Sequence, residues 1–216
     1  RDRIYGIPCH ESIFDLPIKG EEVDLAIIIL PVKHVLDALD DCIEFGVKTV
    51  ILESGALYLK GGNDAENERK VQVIKEKIKK WDRTRVMGPN SIGIYCANES
   101  GNDFITSLIY FDELPGLKKK NLSIISQTGL TLSGLLQGQN YIHEFGISKI
   151  AAIGNKFDVN ESDVLDVYER DPKTDVIALY LEDIKEGKRF MEQCSRIAPK
   201  KPLILLKSGK TEKGKK

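Results

Sequence analysis

Short runs rich in β-branched residues alternate along this chain with segments of helical period, and that order specifies parallel strands joined by crossover helices. An α/β fold is expected. The run over residues 24–30 (DLAIIIL) is apolar on both parities, as expected for a strand covered on both faces, and Pro31 stops it. Val32, Val35, Leu36, Leu39 and Ile43 then recur at three- and four-residue steps, and Gly46 stands where a glycine would end that helix. A strand over 48–52, a long charged helix ending near Trp81, a strand over 85–87 and a GPNSIG turn follow.

Residues 114–120 (LPGLKKK) interrupt the periodicity as a linker would, so two doubly wound parallel-sheet domains are expected, 1–116 and 117–216. The second winds strands over 122–126, 149–153, 176–181 and 203–206 with helices near 130–145, 162–169 and 186–198. Right-handed crossovers place the carboxyl ends of parallel strands along one edge, where open sheets bind ligands. The loops after strands therefore carry the functional expectation.

Charge and cysteine usage narrow the classes of partner. With 32 Lys plus Arg against 33 Asp plus Glu, a net charge of -1 gives no global field for nucleic acid or an anionic membrane. No apolar run approaches the roughly 18 residues that span a bilayer. Cys9, Cys42, Cys96 and Cys194 lie far apart, and His10, His34 and His143 lack ligand spacing, so reduced thiols, no metal site and a cytoplasmic setting are expected. The sequence opens at Arg1 without an initiator Met, which suggests a start inside a longer polypeptide.

Those loops read PVKH at 31–34, ESGA at 53–56, GPNSIG at 88–93, SQTG at 126–129, GNKFDVNESD at 154–163 and LED at 181–183. SQTG stands between a strand and a helix, so its amides and hydroxyls either receive a phosphate on the helix dipole or merely cap the helix. Asn160, Glu161, Ser162 and Asp163 are all able to cap the next helix. Glu182 or Asp183, after an apolar strand, is either a helix-start acid or a carboxylate that orients a histidine and raises its basicity. The lysines after 206, Lys207, Lys210, Lys213, Lys215 and Lys216, read as a solvated tail or an anion-facing loop.

In this order the loops resemble the CoA-binding side of the NDP-forming acyl-CoA synthetases, the family of ADP-forming acetate-CoA ligases and the succinyl-CoA synthetase α subunit. GPNSIG matches the family's G-P-N-C-x-G and SQTG its S-Q-S-G. GNKFDVNESDVL matches G-N-K-x-D-x-x-E-S-D-L-L, and KPLILLKSGKTEKGKK the segment leading to a phosphorylated histidine. The resemblance implies a truncated Rossmann-like CoA-binding domain followed by a flavodoxin-like ligase domain. It implies an acid-CoA ligase that turns acyl-CoA, phosphate and ADP into carboxylic acid, CoA and ATP through acyl-phosphate and phosphohistidine intermediates. CoA is then a substrate, ADP or ATP with Mg sits on an ATP-grasp subunit or domain, and the assembly is an oligomer.

Carried over by position, Pro31, Val32, Lys33, Ile51, Leu52, Glu53, Asn90 and Ser91 would contact CoA. Ser126, Gln127, Thr128, Gly129, Gly154, Asn155 and Asp158 would hold the phosphoryl group, and Glu182 would steady the histidine. Ser91 replaces the motif's cysteine and Leu52 a polar residue seen in succinyl-CoA synthetases. The family's opening glycine-rich phosphate loop and its phosphohistidine have no counterpart here, so terminal segments are expected to be absent and the fragment alone inactive. The alternative is a non-catalytic CoA or acyl-CoA sensor within a larger protein such as an acetyltransferase, separated by whether a Ser-His-Thr-Gly-like segment follows Lys216.

Overall fold

The computed structural model describes residues 3–55, 64–81, 83–98, 103–106, 121–129 and 146–209. The chain divides into two compact units, Arg1–Val86 and Met87–Lys216. The expected boundary at 116/117 lies outside the described residues, as do the linker, the helix near 130–145, His143, Ala56 and the lysines from Lys210 onward.

The first unit opens with a two-stranded hairpin, β1 (Arg3–Ile4) and β2 (Ile7–Pro8). Its three-stranded sheet follows the order β3 (Leu25–Ile28), β4 (Thr49–Leu52), β5 (Arg85–Met87), with β3 and β4 parallel from Leu25 beside Thr49 to Ile28 beside Leu52. Helix α1 (Val32–Phe45) connects β3 to β4, and α2 (Asp64–Trp81) precedes β5. The three- and four-residue spacing does put Val35, Leu36, Leu39 and Ile43 in the core. Gly46 ends α1 at φ 96°, a left-handed conformation that costs glycine little, and its N–H caps the Cys42 and Ile43 carbonyls. Coverage on both faces belongs to β4, whose Val50, Ile51 and Leu52 are buried. The run at 24–30 instead becomes β3, the outer strand of this sheet among the described residues, with Ile27 and Ile29 exposed.

The second unit holds a six-stranded sheet in the order β11-β10-β8-β9-β6-β7. Its strands are β6 (Ile94–Cys96), β7 (Phe104–Thr106), β8 (Leu122–Ser126), β9 (Ile147–Ala152), β10 (Val176–Leu181) and β11 (Leu203–Lys207). The last four run parallel, while β6 pairs antiparallel with β9 and β7 with β6. This antiparallel pair extends the sheet beyond the purely parallel winding expected. The segment after Val86 thus belongs to the second unit, thirty residues ahead of the expected boundary. Helices α3 (Glu161–Arg170) and α4 (Gly187–Ile197) follow β9 and β10. Leu165 and Ile197 from these helices meet Ile125, Ile177 and Leu181 from the strands in one core.

Asn160 begins α3 with a reciprocal cap: its Oδ1 accepts the Ser162 and Asp163 amides, and its own N–H donates to Asp163 Oδ2. Arg189 on α4 reaches Asp163 and Asp166 on α3, and Gln193 donates to the Ser162 carbonyl and to Asp166. The helix pair that follows β9 and β10 is therefore fixed near its amino ends. Among the described residues no helix is long and apolar enough to cross a membrane.

Candidate functional site

In the second sheet β8 is flanked by β9 on one side and β10 on the other, so the chain reverses its direction of winding around β8. Loops leaving strands at such a switch point border a crevice at the carboxyl edge. SQTG leaves β8 there, Glu182 and Asp183 leave β10, and the Gly154 loop leaves β9.

The Gln127 side chain joins two of these loops. Its Oε1 accepts the backbone N–H of Glu182 at 2.8 Å and of Asp183 at 3.1 Å, and its Nε2 donates to Asp183 Oδ1 at 2.5 Å. Ser126 Oγ donates to the Thr128 carbonyl at 2.7 Å and so closes the turn on itself. The Ser126 carbonyl accepts the Ile153 amide at 2.9 Å, which brings the start of the Gly154 loop alongside. Gly129 is helical, and an added Cβ would stand 2.5 Å from the Ile92 side chain.

The Glu182 backbone is held on both sides, its N–H by Gln127 and its carbonyl by Lys207 Nζ at 3.0 Å. Its carboxylate is exposed and makes no hydrogen bond or ion pair among the described residues. Lys207 also donates to the Ser208 carbonyl at 2.8 Å, so it serves as a strut between the ends of β10 and β11.

Beneath the turn lies an ionic cluster that sequence reasoning passed over. Lys156, fully buried, donates to Glu161 Oε2 at 3.0 Å and to the Asp183 carbonyl at 2.8 Å, and pairs with Asp183 Oδ1 at 2.7 Å. Glu161 Oε1 accepts the Lys185 amide at 2.9 Å. Burial opposes charge on Asp183, but hydrogen bonds from Lys156 and Gln127 outweigh it and lower its pKa to about 2. Of the four candidate caps, Asn160 and Asp163 do the capping, and Glu161 is spent on Lys156 and the Lys185 amide. The sequence signal available was a lysine inside a loop of small and acidic residues, which nothing local marks as buried.

The GPNSIG turn packs in the second unit against the same β9 loop. Asn155 N donates to the Pro89 carbonyl and Phe157 N to that of Gly88, at 2.9 and 2.8 Å. Ser91 is buried, donates to the Ala152 carbonyl at 2.6 Å and accepts the Gly93 amide at 3.0 Å, so both its bonds stay within the protein. Asn90 is exposed at φ 60°, Asn155 is exposed, and Asp158 is half-buried further along its loop.

In the first unit, the ends of β3 and β4 are stitched together. Ser54 Oγ accepts the Leu30 amide at 3.0 Å and donates to the Leu30 carbonyl at 2.7 Å, and the Glu53 amide donates to Ile28 at 3.2 Å. Pro31, Val32 and Lys33 therefore open α1 beside Glu53, with Ile51 and Leu52 buried beneath. Pro31 gives α1 no side-chain cap, which leaves first-turn amides for another acceptor. Glu53 is 6% exposed, its Oε2 has no hydrogen-bond partner among the described residues, and burial pushes its carboxyl above the ordinary value. A carboxylate so placed calls for a ligand's N–H or O–H. Among the described residues no cluster of His, Cys, Asp and Glu has the geometry of a metal site.

The CoA binding domain family matches residues 1–97, and the succinyl-CoA ligase like flavodoxin domain family residues 119–216. The chain is 38% identical to acetate-CoA ligase [ADP-forming] II of Archaeoglobus fulgidus, over all of this chain and 30% of that protein. It is 34% identical to the α subunit of acetate-CoA ligase [ADP-forming] I of Pyrococcus furiosus, over 96% of this chain and 42% of that one. Among solved structures it superposes at a TM-score of 0.77 and 31% identity on the acetyl-coenzyme A synthetase 1 of Ca. Korarchaeum cryptofilum, determined with phosphate and ADP, covering 99% of this chain and 43% of that one. The chain thus spans well under half the length of these relatives. Two domain families that between them account for nearly the whole sequence, on a fold shared with these synthetases, make this chain a member of the NDP-forming acyl-CoA synthetase family, carrying its CoA-binding and ligase domains.

Proposed function

We propose that this chain supplies the CoA-binding and ligase domains of an acid-CoA ligase. The enzyme interconverts acyl-CoA, phosphate and ADP with carboxylic acid, CoA and ATP by way of an acyl phosphate and a phosphohistidine. The observation that carries this reading is the Gln127 side chain, which binds the SQTG loop to the Glu182 turn at the switch point and leaves the Glu182 carboxylate exposed beside it. When phosphoryl passes from acyl phosphate to histidine, the P–O bond breaks, the carboxylate leaves with the electron pair, and a P–N bond forms. Fixed amides suit that charge movement better than a strong acid does, since they need no reorganisation as the group passes.

In this reading Glu182 accepts an N–H of the incoming imidazole and so makes the opposite ring nitrogen more nucleophilic. Ser126, Thr128, Gly129, Gly154, Asn155 and Asp158 shape the phosphoryl pocket. In the first unit the open first turn of α1, with Pro31, Val32 and Lys33, suits a CoA phosphate, and the unpaired Glu53 oxygen suits one of its N–H or O–H groups. Ile51 and Leu52 support Glu53 from the core. ADP or ATP with Mg belongs to an ATP-grasp partner, a separate subunit or a further domain, and the setting is the cytoplasm, where CoA and ADP are drawn on.

The test is phosphorylation of the full-length enzyme, with its ATP-grasp partner, by labelled ATP and Mg. Acid-labile, base-stable label on histidine, discharged by carboxylic acid plus CoA, is expected. CoA binding without any histidine label would overturn the ligase reading.

A further inference from the structure

The most heavily bonded side chain near the site is one with no assigned part in the chemistry. Lys156 takes φ 55°, a left-handed conformation disfavoured for a residue with a Cβ, and sends its ammonium into a fully buried position. There its three donors meet Glu161 Oε2, the Asp183 carbonyl and Asp183 Oδ1 at 2.7–3.0 Å, which saturates the group. Burying such charges is weak evidence of a gain in stability, because a well-packed apolar side chain serves a core equally well or better. What an apolar side chain cannot do is grip a turn by its backbone.

The turn is gripped throughout. Gln127 takes the Glu182 and Asp183 amides, Lys156 the Asp183 carbonyl, Glu161 the Lys185 amide, and Lys207 the Glu182 carbonyl. The Glu182 carboxylate, at the head of this turn, is outside every one of these bonds. A carboxylate that no described residue engages, on a backbone that is locked, is the arrangement expected of a group preorganised for a partner still to arrive.

We infer that Lys156, acting with Gln127 through the Asp183 turn, is a positioning residue for phosphoryl transfer, fixing where the Glu182 carboxylate stands when the histidine docks. This rests on the functional reading above. Lys156 touches neither phosphate nor histidine in this role. Its effect runs wholly through Glu182, and that property separates it from a residue needed only for folding.

The experiment is a double-mutant cycle on the full-length enzyme with its ATP-grasp partner, reading the rate of histidine labelling from labelled ATP and Mg. Glu182→Gln, Lys156→Met and the double variant are compared, with a cooperative thermal transition as the check on folding. Lys156→Met is expected to slow labelling roughly tenfold to a hundredfold, the cost of a misplaced catalytic group, at unchanged KM for ATP. In the Glu182→Gln background it is expected to add no further loss. A folded Lys156→Met enzyme with the parent rate, or losses that multiply in the double variant, would overturn the inference. If Lys156→Met does not fold, Gln127→Leu replaces it in the same cycle with the same two outcomes. Glu182→Gln labelling at the parent rate would remove the role of Glu182 and this inference together, whereas loss confined to the Lys156 comparison leaves the ligase reading standing.

Discussion

Gln127 Oε1 lies within hydrogen-bond distance of two consecutive backbone amides, those of Glu182 at 2.8 Å and Asp183 at 3.1 Å, although 55 residues separate Gln127 from Glu182. Two loops that leave neighbouring strands are thereby made into one rigid piece. A side-chain amide suits this bridge, because its oxygen takes both N–H groups while its nitrogen still donates to Asp183 Oδ1.

Gln127→Ala would leave both amides to water. A single hydrogen bond contributes about 1 kcal/mol net, so exchange of the Glu182 and Asp183 amides is expected to quicken about fivefold, with little change at Leu181. Hydrogen exchange resolved at these residues measures it. Unchanged protection would mean that the turn is held without Gln127.

Asp183 sets an acid limit on the same turn. Its folded pKa, about 2, lies below the ordinary value of 3.8, so its contribution to stability is complete above about pH 4 and is lost as the pH falls toward 2. Asp183→Asn should flatten the pH dependence of the denaturant midpoint across that window and lower the midpoint at neutral pH, where Lys156 would lose a partner. A parent protein whose midpoint is level from pH 4 to pH 2.5 would contradict the ion pair.

Gly154 is required by geometry twice over. Its φ is 58°, and a Cβ there would stand 2.2 Å from the Pro89 carbonyl oxygen and 2.9 Å from the Asn90 carbonyl carbon, both backbone atoms unable to move aside cheaply. Gly154→Ala is expected to destabilise the protein by about 3 kcal/mol, combining left-handed strain with the displaced turn at 88–93. Equilibrium unfolding in urea gives the figure, and a loss under about 1 kcal/mol would show that the two loops separate easily.

The legible part of the fold was the part written in local pattern. The spacing of Val35, Leu36, Leu39 and Ile43 with Gly46 fixed α1 almost to the residue, since period and cap are both short-range signals. The apolar run at 24–30 misled, because coverage on two faces depends on what packs above and below the sheet, which no local pattern encodes, and Ile27 and Ile29 are left exposed. The turn at 88–93 was placed with the first domain, whereas its hydrogen bonds run to Ala152, Asn155 and Phe157, more than sixty residues away. At the candidate site, loop order pointed to SQTG and to Glu182. It could not reveal that Gln127 faces Glu182 rather than open space, nor that Lys156 is buried, because both follow from β10 and β9 flanking β8.

Glu53 offers the sharpest test of the first unit. Burial raises its carboxyl above the ordinary 4.5, and no donor among the described residues meets Oε2. A raised carboxyl favours the folded state least when ionised, so stability of the ligand-free protein should fall as the pH rises through 4.5 toward the folded value, and stay lower above it. Glu53→Gln keeps the shape and removes the charge. It is expected to abolish that fall, to raise the melting temperature of the ligand-free protein at pH 7, and to weaken CoA binding about tenfold, the worth of one hydrogen bond to a charged acceptor. Calorimetric titration with CoA alongside thermal unfolding separates the two effects. A variant that is more stable yet binds CoA as the parent does would leave Glu53 a strained core acid with no part in CoA recognition.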